Sequence, residues 1–243
     1  MMELVRTTFK DRIDEIEAYF DFVQNVEVAI GSGGASFDVN GTPYQVSVTQ
    51  QKIMYSSIYL HLYNLVESTM AQLIDAIERH TTEHVDDIKK LTDSMRKLFV
   101  KFTTEPHVHL TYEKRLDKEI ELLKVAMGFN DFAMRLPQGG GGNWDAKEIA
   151  AFSKNIGIKI SLPKAIRQAV EKSFMDEMGP IRTVKVLRNK LAHGNISFAE
   201  CGEYHSAKEF RVLIDAVTKY LEVVINIYGE FITNQGFKVK ENA

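Results

Sequence analysis

Apolar residues recur at i, i+3, i+4 and i+7 through most of these 243 residues, and that spacing admits little but packed helices. Between residues 7 and 30 the stripe is Ile13, Ile16, Tyr19, Phe20, Val23 and Val26, and Gly31-Ser32-Gly33-Gly34 stops it. The next run, SFDVNGTPYQVSV, alternates instead, and its Asn40-Gly41 pair predicts a small hairpin. Thr49 then caps a long helix to about His80, with Ile58, Leu62, Leu65, Val66, Thr69, Leu73 and Ile77 inward. Further helices fit 83–102 and 111–127. Pro137-Gln138-Gly139-Gly140-Gly141-Gly142 is the clearest break, read as a flexible loop because four glycines have little reason to order. Asp145 caps a short helix to Gly157, with Glu148 at the reciprocal position. Pro163 opens a helix to about Met178, and Gly179-Pro180 separates it from one reaching His193, which Gly194 ends. Ser206 caps the last, to about Asn234, with Phe210, Leu213, Ile214, Val217, Leu221, Val224 and Ile225 inward. The expectation is an all-α bundle with a hairpin insertion. It is read as one domain over 1–243, because neither half around the glycines looks self-sufficient.

Composition narrows the partners. No apolar run approaches the ~20 residues that span a bilayer, so no membrane helix is expected. One cysteine, Cys201, excludes an intramolecular disulfide and a Cys-rich zinc site, and suits a reducing cytoplasm. Net charge is −3, so no global basic field attracts nucleic acid. The charge is uneven, however. Between Ala150 and His193 nine Lys or Arg face three Asp or Glu, and Arg182, Lys185, Arg188 and Lys190 lie on one helix without an acid. A phosphate-bearing partner would be drawn there. The alternative is a solvated basic face balanced by an acidic neighbour or a second subunit.

That helix carries the chemistry. At ~100° per residue, Ile181, Val184, Leu187 and Leu191 share one side, and Arg188 falls at the edge of their stripe. A guanidinium there is partly desolvated and needs an anionic partner. His193 lies five residues on, ~140° around an unbroken helix. Gly194 suggests that the helix unwinds near it and lets the imidazole swing toward the arginine, the two flanking a phosphate. Such a pair suits RNA cleavage. The 2′-hydroxyl must lose a proton and the departing 5′-oxygen must gain one, and histidine titrates near neutrality. Arginine neutralises the phosphoryl oxygens, and no metal or cofactor is called for. The structural alternative is a salt-bridged arginine and a solvent-facing histidine.

The run RNKLAHG at 188–194 resembles the Arg-polar-x-x-x-His motif of the HEPN superfamily, with Arg188, Asn189 and His193 at the three motif positions. TTFKDRIDEIEAYFDFV near the start, LYNLVEST at 62–69, GNWDAKEI at 142–149 and VKVLRNKLAHGNISFAECG at 184–202 together resemble the bacterial MAE-type HEPN nuclease-like family. The resemblance implies a helical bundle, a homodimer with the motifs near its interface, and a metal-independent endoribonuclease. It also implies association with toxin–antitoxin or phage-defence systems, and so an antitoxin or defence-system partner. On this reading His193 is the acid/base, Arg188 the phosphate clamp and Asn189 a positioning group, with Lys190 and Lys185 in electrostatic support. The same fold can instead hold RNA, a nucleotide or a partner protein without cutting, or act as a structural dimerisation subunit.

Asn64 and Glu67 are second candidates. At i, i+3 on the long helix, a carboxylate can orient His193 or pair with Arg188, or both side chains can serve neighbouring helix ends. His107 and His109 make an incomplete metal site and read as surface loop. Tyr55, Tyr59 and Tyr63 read as packing before base stacking. Asn143-Trp144-Asp145 reads as a helix start anchored by a buried Trp rather than a closing lid. Cys201 has no partner at a readable spacing and is given no nucleophilic role.

Overall fold

A computed structural model describes residues 1–104, 109–137 and 143–240. Nine helices and one hairpin follow in order among them: α1 (Met2–Gly31), β1 (Ser36–Val39), β2 (Thr42–Gln45), α2 (Val48–His84), α3 (Asp93–Thr104), α4 (Tyr112–Ala126), α5 (Ala146–Asn155), α6 (Lys164–Glu171), α7 (Pro180–Ala192), α8 (Phe198–Cys201) and α9 (Ala207–Thr233). A 3-10 turn at Ile88–Lys90 links α2 to α3. The chain is thus a predominantly helical bundle with a two-stranded antiparallel insertion. Among the described residues no helix is long and apolar enough to cross a membrane.

Helix α2 is the axis of the bundle, and α1, α7, α8 and α9 all pack on it. The stripe from Ile58 to Ile77 is buried, and so are Tyr55, Tyr59, Tyr63, Met70 and Ile74 on its other sides. A helix apolar this far around must be enclosed by its neighbours. The three tyrosines therefore serve packing. Trp144, Ile149 and Phe152 join the same core from beyond the glycine run. In the hairpin, Asn40 and Gly41 both take the positive φ that a type I′ turn requires, and Val39 pairs with Thr42.

Several helix limits differ from the periodic reading. Ser47, not Thr49, caps α2, through a box in which Ser47 Oγ accepts the Gln50 N–H and Gln50 Oε1 accepts the Ser47 N–H. Helix α2 also runs through Glu83 to His84, so the segment expected from 83 becomes α-helical again only at Asp93. Helix α6 stops at Glu171 rather than near Met178. Beyond it Asp176 and Glu177 adopt left-handed φ, and Met175 and Met178 pair across the resulting turn. Phe174, inside that turn, packs its ring 4.6 Å from His205. The glycines of the expected loop, with Gln138, lie outside the described residues, as does His107.

Candidate functional site

Helix α7 begins on Pro180, whose missing N–H costs nothing at a first-turn position. Ile181, Val184, Leu187 and Leu191 are buried as the stripe requires. At the other end the helix does not unwind before His193. The His193 N–H still donates to the Asn189 carbonyl at 3.0 Å. Closure comes one residue later. Gly194 takes φ +68°, its N–H reaches the Leu191 carbonyl at 3.1 Å, and the Asn195 N–H reaches the Lys190 carbonyl at 2.8 Å. This is a Schellman ending, and it leaves the imidazole exposed at the tip.

Arg188 turns inward to α2. Its guanidinium lies 4.4 Å from the centroid of the Tyr63 ring. One terminal nitrogen donates to Asn189 Oδ1 at 3.0 Å, and the other lies 3.5 Å from Glu67 Oε2. The Glu67 contact is long for a hydrogen bond and partly open to solvent, so it is a loose ion pair. Tyr63 is itself fixed, because its hydroxyl accepts the Trp144 N–H at 3.2 Å. A chain of contacts thus runs from the start of α5 through a buried phenol to the motif arginine. Asn189, beside Arg188, spends its amide oxygen on holding it.

The remaining candidates separate. Asn64 is exposed. Lys190 is half-buried, with its ammonium near Cys201. Burial pushes the Cys201 thiol up to about 11, which leaves it inert at neutral pH. His109 is exposed. Arg188 rests on Tyr63 of α2 and stays partly exposed, and His193 is exposed at the end of α7.

Lys185 is held by Asp145, whose other carboxylate oxygen caps α5 by accepting the N–H groups of Lys147 and Glu148 at 3.0 Å each. Glu148 therefore enters the cap through its backbone. The pair floors a cleft of about 360 Å³ that Arg182, Gly179 and Val170 also line. Burial alone would raise the Asp145 carboxyl, but the Lys185 ammonium and the two N–H groups outweigh it and hold the group below the ordinary aspartate value of 3.8. A depressed native pKa adds stability that is complete above the unfolded-state value and is lost as pH falls through the native one. Wild type should therefore lose more stability than Asp145→Asn between about pH 5 and pH 2 in urea denaturation. Parallel curves would show that the pair contributes nothing.

Tyr63 and Asp145 were read from the sequence as packing and as a helix cap, and the structure also sets them against Arg188 and Lys185. Tyr63 stands at i, i+4 from Glu67, and that shared face was the available signal.

A predominantly helical bundle with a small two-stranded insertion is consistent with a HEPN-like fold. The model of the HEPN_MAE_28990-like HEPN family matches residues 1–237, and the chain belongs to that family. Membership associates it with an RNA-binding, nuclease-related fold. Neither the curated proteins nor the solved structures give a match.

Proposed function

We propose that this chain is a metal-independent endoribonuclease of HEPN type, acting as a toxin or phage-defence effector. The observation that carries the reading is the exposed imidazole of His193 at the end of the helix whose Arg188 is held, still partly exposed, by Tyr63, Asn189 and Glu67. His193 moves the proton to or from the reacting oxygen, and Arg188 neutralises the phosphoryl charge. Asn189 and Glu67 keep the guanidinium aimed. The bond that forms joins the 2′-oxygen to phosphorus, the bond to the 5′-oxygen breaks, and a 2′,3′-cyclic phosphate remains.

Arg188 packs on Tyr63 of α2 while His193 is exposed at the end of α7, so a second copy can bring further groups to the same phosphate. A homodimer is therefore part of the reading, and C₂ pairing is the commonest arrangement. Helix α4 supports association: it buries none of its residues, and Tyr112, Leu116, Ile120, Leu123 and, just past its end, Met127 are exposed. Light scattering should give twice 27.6 kDa at micromolar concentration; the single-chain mass would count against it.

One observation favours a second reading. Arg188 already has an anion, an amide and an aromatic face, which is how a purely structural arginine is satisfied. A module that binds RNA or a protein partner such as an antitoxin, without cutting, fits that as well. Labelled RNA incubated with pure protein in EDTA separates the two. Fragments ending in cyclic phosphate support the nuclease, retarded but intact RNA supports the binding module, and RNA neither cut nor retarded leaves a structural subunit.

A further inference from the structure

The last turn of α2 reads His80-Thr81-Thr82-Glu83-His84. Histidines at i and i+4 lie on one face of a helix, one turn apart, and a residue at i+3 lies beside them. The imidazoles of His80 and His84 are stacked, with centroids 5.5 Å apart and planes 24° from parallel. One ligand atom from each of His80, Glu83 and His84 falls within 4.8 Å of the other two. We propose that these three side chains form a binding site for a borderline divalent transition-metal ion, with Zn²⁺ as its natural probe.

The protonation pattern suits this occupant. His84 Nδ1 lies 2.9 Å from the His80 carbonyl oxygen. A carbonyl only accepts, so Nδ1 carries the hydrogen and Nε2 keeps a lone pair for a metal. Metal-bound histidines are commonly fixed in this way, by donating the other ring nitrogen to a backbone carbonyl. Two imidazoles and one carboxylate make a donor set that zinc, copper and nickel accept and that magnesium and calcium do not favour. At metal–ligand distances of ~2.0–2.2 Å the ligand atoms must close to roughly 3.3 Å apart, which side-chain rotations at an exposed helix end can supply. Water completes the coordination. The bound ion staples the final turn of α2, beyond which the chain leaves the helix at Val85.

The site is separate from the motif. Glu67 and His80 are thirteen residues apart on one helix, or roughly 20 Å at 1.5 Å per residue. Zinc binding and RNA cleavage can therefore be lost independently, and the inference does not rest on the nuclease reading.

Zinc competition against a chromophoric chelator on the full chain tests it. Wild type should bind one ion per chain. His80→Ala and His84→Ala should each weaken binding by on the order of tenfold or more, because each removes one of the two nitrogen ligands. Glu83→Gln should weaken it less, and His109→Ala should leave it unchanged. Free zinc 100-fold above Kd should raise the wild-type Tm by roughly 5–10 °C. Glu83 and His84 are exposed and His80 is only half-buried near the end of α2, so the variants should keep the apo circular dichroism spectrum of wild type. A second readout is the visible absorption of the Co²⁺-loaded protein, present in wild type and lost in the double variant. Absence of saturable zinc binding, or equal affinity in wild type and the His80→Ala/His84→Ala protein, would overturn the proposal.

Discussion

His193→Ala is expected to slow RNA cleavage by on the order of 10²–10⁴ while the protein stays folded, because that is the usual worth of one general acid or base. The two halves of this expectation come from different observations. The rate effect follows from the proposed proton transfer. The unchanged stability follows from position: the imidazole is exposed, and the turn it occupies is closed by the backbone of Gly194 and Asn195. At most ~1 kcal/mol is at stake, through interaction with the helix dipole. Arg188→Ala should also abolish cleavage, but with a different signature. It strips a cation from the Tyr63 ring and leaves Glu67 and Asn189 without it, so a fall in Tm should accompany the loss. EDTA should leave wild-type cleavage intact whether or not zinc sits at the end of α2. A well-folded His193→Ala protein that cuts RNA at the wild-type rate would end the catalytic reading.

The helices with strong stripes were legible from the chain because burial and periodicity are the same fact seen twice. Leu62, Leu73, Val217 and Val224 are spaced for one face, and that face is the core. Limits were harder, for identifiable reasons. Ser47 and Thr49 are both good caps, and only the Gln50 side chain, three residues after Ser47, distinguishes them. The end of α6 carries no glycine or proline until Gly179, and Asp176 and Glu177 take left-handed φ only because the surrounding turn holds them there. The site was legible in part. Periodicity put Arg188 at the edge of the stripe and so in need of an anion. Which carboxylate meets it is a matter of how α7 lies on α2, across 121 residues of chain, and no local pattern encodes that. Lys185 shows the same limit: the sequence allowed a basic face balanced by an acidic neighbour, but that the neighbour is Asp145, 40 residues earlier, is not encoded locally. The orientation of His193 turned on backbone detail, since a glycine after a histidine fits either an unwound tip or the tight closure that α7 has.

Gly202→Ala should destabilise the protein by about 3 kcal/mol or more, near or above the upper end of overpacking substitutions. The backbone is not the reason, because Gly202 has φ −73° and ψ −4°, which alanine adopts freely. The obstacle is a neighbour. A Cβ there would lie 1.9 Å from the Lys52 carbonyl oxygen, 2.5 Å from its carbon and 2.7 Å from its Cα. All three are main-chain atoms of α2, so no side-chain rotation relieves the clash. Helix α8 would have to lift off α2, straining the Lys52–Glu203 ion pair beside it. Gly194→Ala is the informative comparison. Nothing lies within 4 Å of its added Cβ, but φ +68° is left-handed, so its cost is conformational, about 1–2 kcal/mol. At roughly 2–4 °C per kcal/mol for a chain of this size, thermal melts should place Gly202→Ala at least ~6 °C below wild type and Gly194→Ala between the two. The order matters for function, because α8 follows directly on the turn that presents His193. Lifting it should lower cleavage along with Tm, whereas His193→Ala lowers cleavage alone. If Gly202→Ala melts with the wild type, α8 does not rest backbone to backbone on α2, and the turn carrying His193 loses the support that fixes it.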